Sequence, residues 1–170
     1  MKQLVLTIIG KNKVGLVNEL SKIISDHHGN WLASNLSNLC GLFAGIVQIE
    51  VEEEYISDLS DTLHHYPNLE IKILTSEETE VKENVSKLDL VITGNDRKGI
   101  VQDIASIIRH KGANIVHFTS KQQSAPNWGV PLFNAVATVE LTSGMNSDDV
   151  IEALEAFASD LIIDIEQPAA

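Results

Sequence analysis

The sequence repeats itself once, which restricts the chain to architectures assembled from two copies of one small unit. Leu6, Ile8, Gly10, Gly15, Val17, Ile23, Ile24 and Asn30 recur as Leu90, Ile92, Gly94, Gly99, Val101, Ile107, Ile108 and Asn114, each pair separated by the 84 positions that part Gly15 from Gly99. Farther along, Leu42-Phe43 and Glu50 recur as Leu132-Phe133 and Glu140, then Ser57-Asp58 as Ser147-Asp148, at the 90 positions that part Leu42 from Leu132. The step from 84 to 90 is a six-residue insertion in the second copy. It falls around Gln122 to Pro131, where Pro126, Asn127, Gly129 and Pro131 mark a lengthened strand-to-strand loop. Two copies at this spacing are duplicated domains and not solenoid units.

Hydrophobic periodicity gives both copies the same order of elements. Leu4 to Ile9 is a short apolar run stopped by Gly10, the signature of a buried strand. Leu16, Val17, Leu20, Ile23 and Ile24 then form one stripe of a helix that ends at His28-Gly29. Trp31 to Leu39 and Leu42 to Val51 read as two strands joined at Cys40-Gly41, and Ile56, Leu59, Leu63 and Tyr66 as a second helical stripe. Pro67-Asn68 breaks that helix, and Leu69, Ile71 and Ile73 alternate as a last strand. The second copy follows with Leu88 to Thr93, a helix from Ile100 to Arg109, strands near Ile115 to Gln122 and Leu132 to Leu141, a helix from Val150 with the stripe Val150, Ile151, Leu154, Phe157 and Ala158, and a strand from Leu161 to Ile165. The fold class is α+β, two ferredoxin-like βαββαβ domains in tandem. The glutamate-rich stretch 76–85 serves as a linker, giving domains 1–85 and 86–170.

Charge and composition narrow the function. A formal charge of -12 repels phosphate backbones, so direct nucleic-acid binding is not expected. The single Cys40 allows no intramolecular disulfide and no cysteine metal cluster within the chain. The N-terminal apolar run is too short for a signal peptide and no run reaches membrane-spanning length, so the expected location is cytoplasmic, with no membrane partner.

The turn between first strand and first helix is the place where a ligand would sit. Its two versions are Gly10-Lys11-Asn12-Lys13-Val14-Gly15-Leu16-Val17 and Gly94-Asn95-Asp96-Arg97-Lys98-Gly99-Ile100-Val101. Glycine permits close approach. The free N–H groups that open a helix suit a carboxylate. Asn12, Asp96, Asn30 and Asn114 offer oxygen acceptors to an ammonium group. Donors for a carboxylate beside acceptors for an amine would recognise a free amino acid. Glycine before a helix and asparagine before a strand are also ordinary turn choices, so the residues alone leave both readings open.

The second turn, followed by an apolar helix and Lys111-Gly112-Ala113-Asn114-Ile115, resembles the ACT domain, a βαββαβ regulatory module that binds amino acids and related small ligands. The resemblance spans nearly the whole chain, once per copy, and the long loop before Val130-Pro131-Leu132-Phe133 is similar to the tandem-ACT family of glycine cleavage system transcriptional repressors. It implies a non-enzymatic amino-acid sensor, with glycine as a candidate ligand, that modulates a protein partner, either a DNA-binding regulator or an enzyme; a homodimer is expected because closed symmetric homo-oligomers are the common outcome. In such domains the ligand lies between paired domains, touched by the first turn and by the residue opening the second strand. Carried across, the resemblance implies Asn12, Gly15, Leu16, Val17 and Asn30 in the first copy and Asp96, Gly99, Ile100, Val101 and Asn114 in the second. The usual proline before the turn glycine is replaced by Val14 and Lys98, and the first turn has Asn12-Lys13 where Asp-Arg is usual.

No other constellation points to chemistry. His27-His28 and His64-His65 are neighbours on helices, which do not face one another as an i, i+4 pair does, so no metal or cofactor is expected. Ser34, Ser37 and Ser120 carry no signature that places them beside a base, and no catalytic residue is assigned. Cys40 at a hairpin and the acidic runs at Glu52 to Glu54 and Glu77 to Glu83 read as surface features. An oligomerising scaffold without ligand is the alternative, and a small ferredoxin-like enzyme a more distant one.

Overall fold

The computed structural model describes residues 1–75, 86–124, 129, 131–142, 144–157 and 161–165. They form two compact units, Met1–Glu80 and Val81–Ala170. In the first, strand β1 (Lys2–Lys11) leads to helix α1 (Leu16–Asp26), strands β2 (Asn30–Leu39) and β3 (Leu42–Val51), a single 3₁₀ turn (Glu53–Tyr55), helix α2 (Ile56–His64) and strand β4 (Leu69–Thr75). The second repeats this as β5 (Ser86–Asn95), α3 (Ile100–His110), β6 (Asn114–Gln123), β7 (Leu132–Leu141), α4 (Ser147–Phe157) and β8 (Ile162–Ile165). Each unit holds one antiparallel sheet, in the orders β2-β3-β1-β4 and β6-β7-β5-β8. The βαββαβ order read from periodicity is therefore present twice. The linker stretch and the proposed boundary at 85 lie outside the described residues, as does Ala158.

Each sheet buries one face under its own two helices. Leu4, Leu6 and Ile8 alternate inward on β1, and Leu16, Leu20 and Ile24 face them from α1, with Leu59 and Leu63 completing the cluster from α2. Leu88, Leu90 and Ile92 meet Ile100, Ile104 and Ile108 in the second unit, with Val150 and Leu154 from α4. Truncating such a fully buried leucine to alanine typically costs about 2–5 kcal/mol. The buried helical pairs equate Leu59 with Val150 and Leu63 with Leu154, an offset of 91. Helix positions are set by what they bury, so the matching Ser57-Asp58 and Ser147-Asp148 are one step out of structural register.

Three of the boundaries that differ from the sequence reading have a clear physical reason. Strand β1 continues through Gly10, which pairs with Phe43 on one side and Leu69 on the other. A side chain there would begin 2.2 Å from the Asn68 carbonyl oxygen, so glycine marks a close crossing inside the sheet and not its end. Helix α2 ends at His64, and Tyr66 packs on the core from beyond it. Helix α4 starts at Ser147, three residues before the apolar stripe, where the Asn146 side-chain oxygen accepts the Asp148 N–H at 3.2 Å. A polar opening of this kind is invisible to hydrophobic periodicity but typical of helix starts.

The insertion lies between β6 and β7. In the first unit, Leu39 and Leu42 are joined by Cys40 (φ 52°) and Gly41 (φ 81°), a two-residue turn with both central φ values positive. In the second, Gln123 pairs with Leu132 across a longer loop, of which residues 125–128 and 130 lie outside the described set.

Candidate functional site

The turn from first strand to first helix is built alike in both units. Gly15 (φ 83°) and Gly99 (φ 87°) adopt the left-handed conformation that opens α1 and α3, a position where any L side chain is strained. The Glu19 N–H donates to the Gly15 carbonyl at 2.9 Å, and the Asp103 N–H to that of Gly99 at 3.0 Å. Among the described residues no side chain caps either helix. The turn is tied to the neighbouring hairpin by Asn12 N–H to Gly41 O at 3.1 Å and by Asp96 N–H to Pro131 O at 2.7 Å. Nothing lies within 4 Å of where a Cβ would project at Gly15 or Gly99.

The expected site residues divide into three sets. Leu16 and Ile100 are core side chains, 3% and 4% exposed, so they can offer a ligand only their backbone. Val17 and Val101 are exposed on the outer side of the helix openings. Asn12 is exposed, whereas Asp96 is half-buried and accepts a hydrogen bond from Gln122 Nε2 at 2.5 Å. Asn30 and Asn114 stand apart from the rest. Asn30 pairs with Glu50, which is level with Gln3, whereas the turn follows Gly10. The seven steps from Gln3 to Gly10 span about 23 Å of strand at about 3.3 Å per residue. Within one domain the turn and the strand-opening asparagine therefore lie at opposite ends of the sheet, and Asn114 stands to Glu140 and the second turn in the same way. Asn30 Nδ2 donates to Glu50 Oε1 at 3.1 Å.

A recurring cluster beside each turn lies outside the motifs that the sequence displays. Lys13 Nζ lies 2.6 Å from Glu19 Oε2 and 5.1 Å from the centre of the Tyr66 ring, and the Tyr66 hydroxyl donates to the same Glu19 oxygen. Arg97 likewise lies 2.6 Å from Asp103 Oδ2, with its guanidinium carbon 5.8 Å from the Phe157 ring centre. The hydrogen bond from Lys13, then that from Tyr66, holds the Glu19 carboxyl below its ordinary pKa. The Lys13 ammonium is raised, first by its hydrogen bond with Glu19. Burial, then the Glu19 hydrogen bond, pushes the Tyr66 hydroxyl up. The available signal was that charge sign persists from Lys13 to Arg97 and from Glu19 to Asp103 at the repeat offset. Between the first turn and the loop Tyr66 to Leu69 lies a shallow cavity of about 170 Å³, bordered by Lys11, Asn12 and Lys13.

His27, His28 and His65 make local structural contacts. His27 Nδ1 lies 2.7 Å from the Ile23 carbonyl oxygen, and its Nε2 approaches Thr62 Oγ1 at 3.2 Å and Asp58 at 3.4 Å, joining α1 to α2. His28 stacks on Tyr55 at 4.4 Å, and His65 Nδ1 lies 2.7 Å from the Asp61 carbonyl oxygen. Among the described residues, no helix is long and apolar enough to cross a membrane.

Comparison with known proteins places this geometry. The family profile described as ACT domain matches residues 2–76, which is the first unit from β1 through β4. Among solved structures, an unknown protein from Galdieria sulphuraria is 25% identical, with 99% of each chain covered and a TM-score of 0.80. A protein described as a candidate glycine cleavage system transcriptional repressor is 14% identical, with 98% of each chain covered and a TM-score of 0.68. No curated protein matches the chain. Both structural likenesses run through the second unit as well as the first.

Proposed function

We propose that this chain, two ACT domains in tandem, senses a small free amino acid and passes the signal to a protein partner without catalysis of its own. The observation that carries the reading is the pair of glycine-opened helices, each uncapped by a side chain and each beside a polar group, Asn12 or Asp96. Amides at an uncapped helix opening favour a carboxylate. The side-chain oxygens of Asn12 or Asp96 are acceptors for the ammonium end. The strand-opening asparagines lie too far along their own sheets to reach the same small ligand. A ligand touched by both elements would need the turn of one ACT domain and the asparagine of another paired with it.

Glycine is the first ligand to test, because the fold is shared with a protein described as a candidate glycine cleavage repressor. The output is protein-mediated on this reading, since a formal charge of -12 opposes DNA contact. Ligand coupling of this kind is typically about 1–3 kcal/mol. Thermal-shift screening of the purified chain against the common amino acids should identify a stabilising ligand. Affinity capture from extract, with and without that ligand, should then recover a ligand-sensitive partner. Tight, salt-sensitive DNA binding by the isolated chain would overturn this reading, and stabilisation by no amino acid would favour a ligand-free scaffold.

A further inference from the structure

The register of the second sheet brings Gln122 beside the second turn. Gln122 is level with Phe133 on β7, which is level with Gly94 on β5. Residues directly opposite one another share a face, and Phe133 is buried in the core. Gln122 therefore lies on the helix-covered side, at the end of the sheet where α3 opens. Past Asn95 the Asp96 N–H donates to the Pro131 carbonyl at 2.7 Å, just before β7 begins. There Gln122 Nε2 donates to Asp96 Oδ2 at 2.5 Å. The donor is a neutral amide, so it occupies one of the carboxylate's several lone-pair sites and leaves the charge in place. The adjacent cation is engaged elsewhere, with Arg97 2.6 Å from Asp103 Oδ2 and 5.8 Å from the centre of the Phe157 ring. In the first domain Asn38 is level with Phe43 and Gly10 in the same way, but the turn carries the neutral Asn12.

We propose that Gln122 is a positioning residue for the second turn. It holds the Asp96 carboxylate in one orientation with its charge uncompensated, so that the turn selects a ligand bearing an ammonium over the same skeleton bearing a hydroxyl. This selectivity presupposes the amino-acid reading given above. An ammonium brings Asp96 both a hydrogen bond and the opposite charge, whereas a hydroxyl brings the hydrogen bond alone. Half-burial of Asp96 reduces screening by water, which widens the difference. Without Gln122 the carboxylate is free to turn among its rotamers, and fixing it costs part of the binding energy. A lysine at the same position would supply the missing charge itself and leave none for the ligand.

Calorimetric titration of the full chain with matched pairs of amino acid and 2-hydroxy acid tests this: glycine with glycolate, alanine with lactate, aspartate with malate. The wild-type chain should bind the amino member of at least one pair about tenfold or more tighter than its hydroxy partner. Gln122→Ala should lower the affinity for that amino acid and leave the hydroxy acid nearly unchanged, so that the ratio shrinks. Gln122→Lys should erase the preference, and Asn38→Ala, the equivalent position in the first domain, should preserve it. A merely structural contact would instead weaken both members of a pair alike. Equal weakening, a ratio that survives both substitutions at Gln122, or a ratio that falls with Asn38→Ala would overturn the proposal while leaving amino-acid sensing intact. Failure of the wild-type chain to bind any of the amino acids would overturn it together with the sensing reading.

Discussion

The two domains have matching but separate cores and differ at the turn. Leu6 and Leu90, Leu20 and Ile104, and Leu63 and Leu154 occupy matching interior positions, all at most 1% exposed. Around the first turn stand Lys11, Asn12 and Lys13; around the second, Asn95, Asp96 and Arg97, with Asp96 already engaged by Gln122. Backbone geometry is the same in both, down to the left-handed glycine. Interior positions tolerate only changes that keep volume and apolarity, whereas a turn side chain can change sign without disturbing the fold. The turns are alike in backbone and unlike in charge: the carboxylate Asp96 stands in the second where the neutral carboxamide Asn12 stands between two lysines in the first.

The largest effects should break the likeness of the cores. Leu63→Ala and Leu154→Ala should each destabilise their own domain by about 2–5 kcal/mol. Hydrogen exchange resolved along the chain should show the loss of protection confined to the domain carrying the change, and a loss spread equally over both would contradict two separate cores. Next in size is the contrast between the turns. Asp96→Ala should weaken amino-acid binding by about 1–3 kcal/mol through loss of a charged hydrogen bond, and Asn12→Ala by less, because its carboxamide is neutral. Calorimetry showing the reverse order would reassign the binding turn to the first domain.

A smaller effect should be common to both domains. Gly15→Ala and Gly99→Ala place a side chain at positive φ in open space and should each cost about 1–2 kcal/mol of stability. Unequal costs, measured by denaturant unfolding, would show that the two openings are not equivalent. The smallest effect concerns acid. Glu19 has a folded pKa below its unfolded value, so its contribution to stability is present above the unfolded pKa and is lost as pH falls through the folded one. Glu19→Gln should flatten the acid limb of the first domain's stability profile slightly, given the half-exposed pair. An unchanged limb would mean that the Lys13, Glu19 and Tyr66 cluster adds nothing in solution.

The elements are legible because the apolar stripes are strong: Leu16, Leu20 and Ile24 repeat every four residues, and Phe133, Ala135, Ala137, Val139 and Leu141 fall at every second position. The start of α4 was hidden because Ser147 to Asp149 are polar, and the passage of β1 through Gly10 because a glycine that permits a close crossing looks like one that ends a strand. The site was legible only in part. Side-chain type nominated the turn, but the separation of Asn30 and Asn114 from it is a property of strand register, which one strand's composition does not contain. The spacing of Tyr66 from Leu63 suits a helical core residue, while its place beside Lys13 depends on the chain leaving α2 at His64.

On the proposed reading, a small amino acid touched by both elements lies between the turn of one domain and the strand-opening asparagine of another paired with it, because within one domain the two stand at opposite ends of the sheet. Isothermal titration of the full chain with glycine and the other common amino acids, repeated on Asp96→Ala and Asn114→Ala, tests it most directly. The expected result is saturable binding of at least one amino acid that both substitutions weaken, each by about 1–3 kcal/mol. Binding that is untouched by Asn114→Ala, or the absence of binding by any amino acid to the wild-type chain, would contradict it.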